Sequence, residues 1–99
     1  MSDLLTHETF SRHLNTKFRV QLEAASPVEL ELVEISELRL SPGQEQFNTV
    51  FSGPNEMFLG QGGRSFEHDQ MGQFELFIVP ISQDPQGYCY EAVFNRLRE

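Results

Sequence analysis

At 99 residues with 38 % hydrophobic content, the chain has the size of one domain with one core. Fifteen acids against seven Lys and Arg give a formal net charge of −8, which excludes nucleic acid and an anionic membrane surface as default partners because both would repel it. The single cysteine, Cys89, rules out an internal disulfide and a thiolate metal cluster.

Met1-Ser2-Asp3-Leu4-Leu5 lacks the basic region and apolar run of a secretory signal, and the longest apolar stretch, Leu76 to Ile81, is far short of a bilayer span. The expected setting is therefore cytoplasmic. Phe supplies nine side chains, Tyr two and Trp none, a usage that favours filling a core over presenting a sticky surface.

In chain order, Thr6 is the expected N-cap of a short helix from about His7 to Leu14, with Leu5 and Phe10 as the two halves of a hydrophobic staple. Phe10 and Leu14 share its apolar face, and Asn15 suits a left-handed stop. The period then changes to two. Phe18, Val20 and Leu22 alternate with Lys17, Arg19 and Gln21, and after a turn through Glu23 to Pro27, Val28, Leu30 and Leu32 alternate with Glu29 and Glu31. The expected hairpin register sets Leu22 against Val28, Val20 against Leu30, Phe18 against Leu32, Gln21 against Glu29 and Arg19 against Glu31.

Beyond Leu32 the apolar set moves to Val33 and Ile35, the phase slip of a β-bulge. Ser41-Pro42-Gly43 reads as a loop, and Phe47, Thr49 and Phe51 resume alternation until Gly53-Pro54-Asn55. Further strands are expected over about Arg64 to Glu67, Gln73 to Ile81 and Tyr88 to Asn95, with turns at His68 to Gly72 and Asp84 to Gly87. Leu76-Phe77-Ile78-Val79 is apolar on both parities, which predicts cover on both faces, in part by the helix. The expected fold is a single mainly β domain: a small antiparallel six-stranded barrel or a rolled two-layer sheet, with one short N-terminal helix as lid or plug.

The segments Phe51-Ser52-Gly53-Pro54, Gln61-Gly62, Glu75-Leu76-Phe77-Ile78-Val79-Pro80-Ile81 and the ending Tyr90-Glu91-Ala92-Val93-Phe94-Asn95, with Val28 to Glu34, carry a resemblance spanning nearly the whole chain. It resembles a family of short, β-rich bacterial proteins described only as a domain of unknown function. The resemblance implies no activity, ligand or catalytic residue, and it implies encoding near phage-tail-like genes. The chain departs from the family pattern at Arg64, where an aromatic is usual, and at His68-Asp69, where a His-Pro turn is usual.

No constellation of reactive residues emerges from the spacing. His7 and His13 lie about 240° apart around a helix and cannot share a ligand. His68 beside Glu67 and Asp69 reads as a turn, with no second histidine placed to join it. Ser65, His68 and Asp69 are the residue types of a hydrolase triad, but neighbours in one strand and turn cannot hydrogen-bond in series.

Cys89 reads as a small, at least half-buried residue without a base to activate it. Gly60-Gln61-Gly62-Gly63-Arg64-Ser65 reads as a strand connection rather than an anion cradle, because it lacks the Lys-Ser/Thr and helix of a P-loop. Glu29, Glu31, Glu34 and Glu37 read as a solvated face. Catalytic, metal and cofactor residues are accordingly set at none.

The expected function is that of a non-enzymatic structural or adaptor protein that binds a larger protein assembly or a second copy of itself. The alternative is a small-ligand-binding β-barrel. Tyr88 and Tyr90, on one parity of the last strand, are the expected docking anchors, joined by Arg64. The plainer account of the tyrosines is burial with satisfied hydroxyls, in which case docking moves to the Pro54 to Arg64 loop.

Overall fold

The computed structural model describes residues 5–22 and 25–97. It opens with α1 (His7–Arg12), followed by β1 (Lys17–Leu22), β2 (Ala25–Ile35), β3 (Arg39–Ser41), β4 (Gln44–Gly53), β5 (Gly62–His68), β6 (Gly72–Asp84) and β7 (Gly87–Leu97). Every strand pairing is antiparallel, in the order β2-β1-β5-β6-β7-β4, and pairing of β2 with β4 closes the ring. The protein is a closed six-stranded antiparallel barrel with one extra strand and one short helix. Closure removes the exposed edges that an open sheet would leave. Among the described residues, no helix is long and apolar enough to cross a membrane.

The helix begins where expected, with Thr6 Oγ1 accepting from the Thr9 N–H at 3.1 Å. It ends at Arg12, short of Leu14, and Asn15 takes the left-handed conformation at φ 68°. Leu14 therefore sits in the turn, 37 % exposed, and not on the apolar face. Phe10 anchors the helix in the barrel: it meets Phe18 of β1, Phe47 of β4, Phe74 of β6 and Phe94 of β7 at ring-centroid distances of 5.1–6.3 Å. One aromatic from four strands thus surrounds one from the helix, which plugs that end of the barrel.

The first hairpin keeps the expected faces but not the expected register. Val20 lies opposite Val28, Phe18 opposite Leu30, Arg19 opposite Glu29 and Lys17 opposite Glu31. Leu22 pairs with Ala25, so the connection is shorter than a turn through Pro27, and Ser26 and Pro27 belong to β2. Glu23 and Ala24 lie outside the described residues. The slide is by two positions, which preserves parity and so leaves Phe18, Val20, Val28, Leu30 and Leu32 buried. The expected Arg19–Glu31 pair is replaced by Lys17–Glu31 at 3.4 Å, while Arg19 reaches Glu67 at 3.4 Å and Asp69 at 2.8 Å.

The bulge expected after Leu32 is present in the β2–β4 pairing, between Leu32 and Glu34. Val33 is expelled to 40 % exposure and Ile35 returns to the core. Ser41-Pro42-Gly43 is a turn, with Gly43 at φ 77°, but strand flanks it on both sides because β3 folds back on β4. This extra strand lies outside the expected six. Phe47, Thr49 and Phe51 point inward as their alternation predicts.

The largest departure lies in β6. Leu76 and Ile78 are buried, whereas Phe77 is 57 % and Ile81 48 % exposed, so the strand is covered on one face only. A closed barrel has a single interior, and the helix occupies its end rather than its outside.

Candidate functional site

The expected anchors separate once the barrel is closed. Tyr90 is fully buried, and its hydroxyl accepts a hydrogen bond from the Leu59 N–H at 2.9 Å. Burial pushes its phenol pKa up, partly offset by that hydrogen bond. It is a core residue holding the Pro54 to Arg64 loop to β7. Tyr88 is half-buried and lies edge-on to Phe58 at 5.0 Å, with Phe58 itself 53 % exposed. Arg64 folds back on the same loop, with Nη2 donating to the Gly60 carbonyl at 2.9 Å and Nε buried without a partner.

The histidines make a cluster that the spacing did not reveal. Fold closure brings His13, at the end of α1, against His68, at the end of β5, with ring centroids 4.6 Å apart, so a second histidine does join His68. His68 is only 5 % exposed and its ring also packs on Phe18 at 4.4 Å. Its Nδ1 accepts from the backbone N–H groups of Gln70 at 3.1 Å and Met71 at 3.2 Å. That lone pair is occupied, which assigns the ring proton to Nε2 and directs it at Thr16 Oγ1, 3.0 Å away.

The Thr16 hydroxyl in turn donates to the His13 carbonyl at 2.6 Å. Burial, followed by the neighbouring His13 and Arg19 and opposed by Asp69, lowers the His68 pKa. A general base toward Thr16 would need Nε2 unprotonated, the reverse of this arrangement. The cluster acts as a clasp joining α1, β1 and the β5–β6 turn. Ser65 is exposed on the opposite parity of β5 from buried His68, so these two do not converge. Among the described residues, no group of three or more His, Cys, Asp or Glu is placed to hold a metal ion.

The surface feature of most consequence is the outer face of β6 and β7. Phe77 and half-buried Val79 alternate on the outward parity of β6, and Ile81, 48 % exposed, falls at the register irregularity between Pro80 and Ser82 in the β6–β7 pairing. Val79 pairs with Glu91 of β7, and Val93, two residues beyond Glu91, is 58 % exposed. On the other side of β7, Glu91 lies opposite Val50 of β4. A half-buried carboxylate thus sits within a surface of valines, phenylalanine and isoleucine. Its Oε2 accepts from Asn48 Nδ2 at 2.8 Å, and Asn48 Oδ1 accepts from Arg39 at 2.8 Å.

The profile of the family described as Domain of unknown function (DUF6916) matches residues 5–94. The chain belongs to that family. The matched span of this DUF6916 domain runs from the staple residue Leu5 to Phe94, so it includes the plugging helix, the histidine clasp and the apolar outer face. No curated protein and no solved structure matches the chain.

Phe77, Ile81, Val93 and Glu91 were not singled out from the sequence as surface residues. The signal was present: a strand apolar on both parities has one face left over if the sheet closes on itself. The sequence pattern by itself predicts cover on both faces, in part by the helix.

Proposed function

We propose that this domain is a non-enzymatic structural or adaptor module that docks onto a larger protein assembly through the outer face of β6 and β7. The observation that carries this reading is exposed Phe77, Ile81 and Val93 beside half-buried Val79 on the adjacent strands β6 and β7. Contiguous apolar surface on a small domain, as opposed to scattered single residues, marks a face that is covered when the protein works. A bacterial setting and a phage-tail-like assembly, implied by the family resemblance, and a cytoplasmic location, expected from the N-terminal sequence and the lone cysteine, belong to the same proposal.

The barrel interior supports this reading over the small-ligand alternative, because Phe18, Phe47, Phe51, Phe66, Ile78 and Tyr90 fill it. A cleft of about 610 Å³ opens on the outside between Pro27, Val28, Pro54 and Met57. Native mass spectrometry of protein isolated from its own source should show a stable complex. A lone monomer in that experiment would remove the adaptor reading. A thermal shift with a metabolite library would restore the ligand reading.

A further inference from the structure

We infer that the occupant of the β6–β7 face is a basic protein surface, one that presents an apolar strip flanked by Lys or Arg, rather than a second copy of this chain. The inference rests on the adaptor reading and gives it a partner chemistry. Its basis is Glu91. The residue is half-buried in the middle of the apolar face, between Val79 on β6 and Val50 on β4. One carboxylate oxygen takes the Asn48 amide, and among the described side chains no Lys or Arg pairs with the group.

Covering the face with an apolar partner would strip water from that carboxylate without replacing it, which is costly, whereas a cation placed opposite it converts the cost into a charge-assisted contact. Glu75 is exposed on the same outward parity of β6, two residues before Phe77, and extends the negative rim. A second copy is the poorer occupant. A two-fold arrangement would bring two such carboxylates into one interface, on chains that each carry a net charge of −8. Complementary charge also sets specificity: the valines and Phe77 supply the area, and Glu91 rejects neutral or acidic apolar surfaces.

The test uses two synthetic probes, an alternating Val-Lys decapeptide and its Val-Glu counterpart, titrated into isotopically labelled protein and followed by amide chemical shifts. The Lys peptide should perturb residues 77–81 and 89–93 and bind about tenfold more tightly than the Glu peptide, a preference reduced by salt. Phe77→Ser with Val93→Ser should abolish that binding with the spectrum otherwise intact, and Glu91→Lys should erase or reverse the preference although the chain stays acidic.

Shifts centred elsewhere, or a preference untouched by Glu91→Lys, would overturn the inference. Concentration-dependent dimerisation of the free protein that Phe77→Ser removes would name a second copy as the occupant. Isolation of the double variant from the native source separates the two levels of the argument. A partner retained by wild type and variant alike overturns the face while the adaptor reading stands, and no partner with either removes both.

Discussion

The two faces of β6 carry nearly the same chemistry and meet opposite fates. Leu76 and Ile78 point inward at 5 % and 0 % exposure, while Phe77 and Ile81 point outward at 57 % and 48 %. The inner pair belongs to the aromatic-rich core, whereas about half of the outer pair's surface is left to solvent. Apolar identity alone does not locate the core. Strand parity combined with closure does, and the apolar residues left outside are where function is sought.

The comparison breaks most decisively if the inner wall tolerates charge. Leu30→Asp, with Leu30 fully buried, should leave no cooperatively folded protein by circular dichroism, because a buried unpaired carboxylate has no compensation in that site. On β6 itself, Ile78→Ala should cost about 2–5 kcal/mol in urea melts through lost burial and a cavity, while Phe77→Ala should stay within about 0.5 kcal/mol. Equal losses at these neighbours would mean that the outer face is packed in the monomer after all.

Tyr90→Phe sharpens the inner side. Removing the hydroxyl strands the Leu59 N–H, with an expected cost of about 1–3 kcal/mol and faster hydrogen exchange at Leu59. A docking anchor would show no such change in the free protein.

The histidine clasp predicts a pH dependence with a definite sign. The His68 pKa is lowered in the fold, so the unfolded chain binds the proton more readily. The stability from neutral His68 is fully present above its unfolded value of about 6.5 and is lost as pH falls through the lower folded value. Protonation at Nδ1 would also break the hydrogen bonds from Gln70 and Met71. Urea midpoints should therefore fall from pH 7 to pH 5, and His68→Asn, which keeps an acceptor near Nδ1, should flatten that slope. An unchanged slope would show that other groups dominate.

The smallest effect belongs to the exposed hairpin. Glu31→Lys removes the pair with Lys17, whose side chains are 35 % and 56 % exposed, and should cost about 0–1 kcal/mol. A larger loss would place that pair nearer the core than its exposure indicates.

Local features were legible because local chemistry decides them. Thr6 caps α1, Asn15 stops the chain in a left-handed conformation, the slip after Leu32 is a bulge, and Asp84 turns the chain with Oδ1 accepting from the Gln86 and Gly87 N–H groups. Alternation at Phe47, Thr49 and Phe51 named inward residues correctly. The observed hairpin register differs by two positions from the expected one, because the same faces pair equally well at either setting and alternation alone does not choose between them.

Arg19 illustrates what only assembly could decide. Its partners Glu67 and Asp69 are some fifty positions away and arrive through the β1–β5 pairing. His13 and His68 meet for the same reason. By itself, the sequence determined an acidic, mainly β fold with a capped helix and a Phe-rich core, since composition, periodicity and turn chemistry act over a few residues. The tertiary structure alone decided that the sheet closes into a barrel, that Tyr90 is spent inside it, and that Phe77, Ile81 and Val93 remain outside around Glu91. Closure is a long-range choice, and it allots the single interior.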